Sequence, residues 1–101
     1  MKNNMFTVEN ARKNGFKVRV MHFRPVVGEN ELFHTSVIKE KKLNLVQNGG
    51  LTRVEVTTPE NKNFFGEASC HVNDCFNRRL GTRIALGRAF KLATEDYGMG
   101  S

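Results

Sequence analysis

Five basic residues crowd into the stretch from position 73 to 91. Arg78, Arg79, Arg83, Arg88 and Lys91 stand there against one acid, Asp74. Their net +4 is most of the chain's formal +6, in under a fifth of its 101 residues. Arg79 and Arg83 are spaced i, i+4, where two like charges on a helix cost about 0.2–0.5 kcal/mol. A phosphate held between them offsets that cost, because each guanidinium makes paired N–H···O bonds to phosphate oxygens. Gly87 follows one turn on and leaves room beside the pair. Arg78 lies about 100° round the helix from Arg79 and joins them as a ligand-binding candidate. The structural alternative is two arginines that lie in water or pair with Glu55, Glu60 or Glu67.

A second set of candidates lies at Asn61, Asn63, Phe64 and Phe65. An exposed Phe stacks a nucleobase, and a neighbouring Asn hydrogen-bonds the base edge. Asn61 and Phe65 are the base contacts chosen on that ground. Phe64 and Phe65 must point to opposite faces of a strand, so the alternative puts one in the core and the other at a subunit contact. Cys70-His71-x3-Cys75 offers three soft ligands, with His22 or His34 as a fourth for tetrahedral zinc. The paired CxxC spacing is missing, and no metal is expected. A Cys75–His71 nucleophile pair lacks a third group to orient the base. There is no Walker loop, GxGxxG or HExxH. The chain is therefore expected to be non-enzymatic and to carry no cofactor.

These residues must be positioned by a small α+β domain: an antiparallel β-sheet meander followed by one or two C-terminal α-helices. One domain is expected over 1–101, with strands across roughly 5–70, a helical region across roughly 74–93 and a frayed tail at 97–101. Phe6 and Val8 suggest a short edge strand. Phe16, Val18 and Val20 alternate with Lys17, Arg19 and Met21, which predicts a strand to about Phe23, with Pro25 ending it or marking an edge. Val27 to Asn30 is a turn. Residues 32–39 read as strand or loop, with a short helix over 31–45 as the alternative, and 39–42 as a solvated connection. Asn48-Gly49-Gly50 reads as a strong turn. In Leu51 to Thr58, Val54 and Val56 point one way and Arg53, Glu55 and Thr57 the other. Residues 58–62 make a turn, and Phe64 to Cys70 is the hairpin partner, with Gly66 a candidate bulge.

Asn73 or Asp74 is expected to cap the helix. Phe76, Leu80 and Ile84 form an apolar stripe suited to packing on the sheet. Gly81, Ala85, Ala89 and Ala93 form a second stripe, of small residues, that admits another backbone from the sheet or from a second subunit. Gly81 and Gly87 each cost a helix about 1 kcal/mol against Ala, which suggests a break near Gly81.

The hydrophobic share of 39%, with eight Phe, is enough for a folded core, and a chain this short gains stability by oligomerising. A pI near 9.8 favours phosphate-bearing or acidic partners. No apolar run reaches membrane-spanning length, and residues 1–14 lack the apolar core of a signal peptide. A cytoplasmic location follows as an expectation, with Cys70 and Cys75 as free thiols.

Three blocks carry a family resemblance. They are Asn14-Gly15-Phe16-Lys17-Val18-Arg19-Val20, Gly49-Gly50-Leu51-Thr52-Arg53-Val54-Glu55-Val56-Thr57-Thr58-Pro59, and Asp74-x-Phe76-Asn77-Arg78-x-x-Gly81-x-x-Ile84-Ala85-x-Gly87-Arg88-Ala89. Over about half the chain, and most clearly from Leu51 onward, the pattern resembles the small phage-encoded Thoeris anti-defence proteins of the first-described type. The resemblance implies an antiparallel sheet followed by C-terminal helices. It also implies a homo-oligomer that holds a cyclic ADP-ribose-type or cyclic oligonucleotide signal at subunit contacts and sequesters it unbroken, in the cytoplasm of the infected bacterial host. On the same resemblance Arg79 and Arg83 are phosphate ligands, and an Asn or Phe of the 61–65 loop is a base contact. Two other readings stay open: a nucleic-acid-binding phage protein, and an inhibitor whose basic face meets an acidic host protein.

Overall fold

A computed structural model describes residues 7–96. Thr7 opens the first helix, α1 (Val8–Lys13), by accepting a hydrogen bond on its hydroxyl from the Asn10 backbone N–H at 3.1 Å. The expected edge strand at Phe6 and Val8 is therefore replaced by a capped helix from Val8 onward, while Phe6 lies outside the described residues. Asn14 and Gly15, the latter at φ +88, turn the chain into β1 (Lys17–Pro25). β2 (Leu32–His34) pairs with its far end. The ambiguous stretch after it is both things: the three-residue strand, then α2 (Thr35–Lys41), whose first turn is capped by His34. Residues 39–42, expected as a connection, are the exposed last turn of α2 and its left-handed cap at Lys42.

β3 (Asn48–Thr57) and β4 (Asn63–Cys75) make the long hairpin. The sheet is antiparallel throughout, in the order β2-β1-β3-β4. β3 lies beside β1 rather than β2, so the chain departs from a simple meander at that one step. The C-terminal helix α3 (Arg78–Asp96) follows, and the α+β architecture is as the sequence predicts.

Gly49-Gly50 is not a turn but part of β3. Arg24 reaches across from β1 and donates to the carbonyls of Val46, Gln47 and Gly49 at 3.0, 3.0 and 3.2 Å, tying this segment to the sheet. Gly50, at φ +138, lies under the Phe76 ring, and a Cβ there would come within 2.7 Å of it. Opposite, the register jumps: Asn48 pairs with Cys75 and Gly50 with Cys70, so residues 71–74 loop out of β4. Gly66 is no bulge, because the ladder runs evenly through its pairing with Val54. It is glycine because α3 crosses there; a Cβ would overlap the Ala85 carbonyl oxygen and lie 2.5 Å from the Ala89 nitrogen.

α3 starts later than Asn73 or Asp74, since β4 continues to Cys75. Asn77 caps it, its side-chain oxygen accepting from the Leu80 N–H at 2.9 Å. It is one helix without a break at Gly81, which packs against Thr52 of β3. The small-residue stripe, not the apolar one, faces the sheet. Ala85, Ala89 and Ala93 are buried with Leu86 and Phe90, while Leu80 and Ile84 are 50% and 38% exposed. Short side chains draw the helix backbone down onto Gly66 and leave the bulkier stripe outside. The core joins Ala85, Leu86, Ala89 and Phe90 to Ala11, Val18, Val54, Val56 and Ala68, with Val8, Phe16 and Val20 at its margin.

Candidate functional site

Turning the small stripe inward turns the basic residues outward. Between Arg78 and Thr94, α3 carries five basic residues and no acid. Its outer side and the start of α1 border an open trough of about 1560 Å³. Arg79 and Arg83 line it with Thr7, Val8, Leu80 and Ile84, and Arg88 and Lys91 line it farther along the helix. Gly87 meets no neighbouring atom within 4 Å of where a Cβ would stand, so the room expected beside the arginine pair is there.

Arg79 and Arg83 are exposed and have no hydrogen-bond or ion-pair partner among the described residues. Glu67 pairs with Arg53 at 3.7 Å, and its backbone carbonyl accepts from Arg88 at 2.7 Å. Arg88 is thereby tethered to the sheet, whereas the 79/83 pair keeps both forks free. Arg78 lies on the same trough and adds its charge towards His22.

Asn61 and Phe65 are not brought to this trough. Asn61 sits in the β3–β4 turn at φ +69, a left-handed conformation that Asn tolerates better than most residues. α3 crosses Gly66 between Ala85 and Ala89 and runs antiparallel to β4, so Asn61 lies at the far end from Arg79. At about 3.3 Å per strand residue and 1.5 Å per helical residue, the two are roughly 25 Å apart. Phe65 is 40% exposed on the face that α3 does not cover, under the Arg53 guanidinium at 4.4 Å from the ring centre. Phe64 is the one that turns towards the core, opposite Val56. Within one chain neither Asn61, at the far end of the sheet, nor Phe65, on its other face, reaches the arginine pair.

Beneath the start of α3 lies a buried polar cluster that sequence reasoning passed over. Arg24 is only 8% exposed and stacks on Phe76, with 4.1 Å from its guanidinium carbon to the ring centre. His22 is 8% exposed, shares a 2.9 Å hydrogen bond with the Thr52 hydroxyl, and meets Phe76 edge-on. Burial, and then the charges of Arg78, Arg24 and His34, depress its pKa below the ordinary 6.5. The alternation of β1 held the signal: His22 and Arg24 continue the core-facing series of Val18 and Val20. Their partners make the cluster a support for the trough's leading end. Cys70, His71 and Cys75 border one small cavity, but among the described residues no three His, Cys, Asp or Glu side chains are grouped to hold a metal ion.

No described helix is long and apolar enough to cross a membrane. In comparisons with known proteins, no family model, curated protein or solved structure matches this chain.

Proposed function

We propose that this chain is a non-enzymatic, phage-encoded anti-defence protein that binds and sequesters an anionic cyclic nucleotide signal, of the cyclic ADP-ribose or cyclic oligonucleotide kind, in the cytoplasm of an infected bacterium. The observation that carries the reading is the Arg79–Arg83 pair. Two guanidiniums one turn apart are held outward without an acidic partner, beside a glycine that leaves space, on a helix whose first seventeen residues carry no acid. Such a pair accepts one phosphate or two adjacent ones through charge-assisted bonds. Leu80 and Ile84, exposed in the same trough, offer an apolar surface to the nucleoside part of a ligand. Asn61 and Phe65 contribute base contacts only from a second copy, since their own trough is out of reach. This agrees with the homo-oligomer that the sequence resemblance implies.

The trough is open along the helix, which also favours a second reading: a nucleic-acid strand lying on the same charges. Native mass spectrometry of the purified protein separates the two. Nucleotide sequestration predicts a discrete oligomer that takes up a whole number of cyclic nucleotides, and only feeble shifts of long DNA or RNA in a gel. Strong shifts that fade steeply with salt, and no small-ligand uptake, would reverse the ranking.

A further inference from the structure

The loop-out in β4 places two thiols at its base. Cys70 and Cys75 pair with Gly50 and Asn48, residues two apart on β3. Two strand residues span about 6.6 Å, and Gly49 and Gly50 take φ +83 and +138 within it. Disulfides join Cα atoms about 4.4–6.8 Å apart. The Cys70 thiol already points into the arc, with the carbonyls of Asp74 and Cys75 at 3.4 and 3.5 Å from its sulfur. Both cysteines are free, and both line one cavity of about 320 Å³ with Phe76 and Leu80. They differ in access: Cys75 is exposed and Cys70 half-buried.

We propose that Cys70 and Cys75 form a redox-active dithiol that closes to an intramolecular disulfide by exchange with a small-molecule disulfide such as oxidised glutathione. The thiolate of exposed Cys75 attacks one glutathione sulfur, forms a mixed disulfide and expels a glutathione thiolate. The Cys70 thiolate then attacks the Cys75 sulfur, forms the Cys70–Cys75 bond and expels the second half. Two protein thiols lose two electrons and two protons, and one disulfide becomes two thiols. Closure fixes the strand end two residues before Asn77, the cap from which α3 and its arginines start. The proposal stands whether or not the trough binds nucleotide.

The test is equilibration of the intact chain in glutathione redox buffers, with mass spectrometry after acid quenching, for the native chain and for Cys70→Ser. Serine keeps a donor for the same carbonyls and removes the resolving thiol. The native chain is expected to end as a monomer two hydrogens lighter, with no glutathione attached. Cys70→Ser is expected to hold one glutathione on Cys75. The equilibrium constant for closure should be at least about tenfold larger in the folded chain than in urea, because the fold has already brought the ends together. A glutathione adduct that persists on the native chain, a sulfur-linked dimer, or closure no better folded than unfolded would overturn the proposal.

Discussion

Alanine at position 66 should dislodge α3. In an ordinary strand, Gly→Ala is favourable by about 0.5–1 kcal/mol, because glycine loses more freedom on folding. Here the added methyl has nowhere to go: it overlaps the Ala85 carbonyl oxygen and comes within 2.5 Å of the Ala89 nitrogen. These are helix backbone atoms that cannot swing aside like a side-chain end. The helix must lift by more than 1 Å along the line where Ala85, Leu86, Ala89 and Phe90 are buried. Overpacking of this kind costs about 1–3 kcal/mol, and a backbone obstacle puts it at the upper end. For a domain of this size that lowers Tm by about 10–20 °C. The internal control is Gly87→Ala, on the same helix but facing open space. There the gain in helix propensity should raise stability by about 1 kcal/mol. Urea titration followed by far-UV circular dichroism reads both. A Gly66→Ala chain as stable as the native one would mean that α3 does not cross the sheet at Gly66, and the exposed placement of the basic pair would fall with it.

The remaining expectations concern the trough and the cluster beneath it. Arg79→Ala combined with Arg83→Ala should weaken cyclic nucleotide binding by two orders of magnitude or more, since charge-assisted bonds are worth about 1.5–3 kcal/mol each; urea titration should show unchanged stability, and Arg78→Ala a smaller loss of binding. Arg24→Met should destabilise the fold by about 2–4 kcal/mol, because three backbone carbonyls lose a charged donor, with the midpoint of urea unfolding as the readout. His22 has a folded pKa below its unfolded 6.5, so the unfolded chain binds the extra proton first. Its contribution is complete above pH 6.5 and is lost as the pH falls through the depressed folded value. His22→Gln should flatten that acid-side decline in urea midpoints as the pH falls below about 6.5; an unchanged slope would refute the assignment.

The strands were legible where alternation was uninterrupted. Val18 and Val20 against Lys17 and Arg19, and Val54 and Val56 against Arg53 and Glu55, gave β1, β3 and their core faces directly. Reading failed where a distant contact outweighed local propensity. Gly49-Gly50 looks like a turn until Arg24 and Phe76 are seen to occupy the space their missing side chains leave. Gly81 looks like a helix breaker, yet it lets α3 sit on Thr52. The larger apolar stripe of Phe76, Leu80 and Ile84 was the natural choice for the sheet, but Gly66 on the opposing strand selects the small one, and nothing within the helix says so. Asn77, in turn, was passed over as a cap because Asn73 and Asp74 precede it, and β4 simply runs on through both. Of the site, the Arg79–Arg83 spacing was legible because helix geometry alone sets it. The relation of that pair to Asn61 and Phe65 was not, because it depends on which way Phe65 faces and on the direction in which α3 returns across the sheet.

Sequestration without turnover is decided by one titration. The purified chain is titrated calorimetrically with cyclic ADP-ribose isomers and cyclic oligonucleotides, then heated to release what it holds, and the released material is identified by chromatography and mass spectrometry. The expected result is saturable binding of at least one of these ligands and its full recovery intact, with binding lost in the Arg79→Ala, Arg83→Ala chain. Failure of every cyclic nucleotide to bind, or recovery of a cleaved product, would contradict the proposed function.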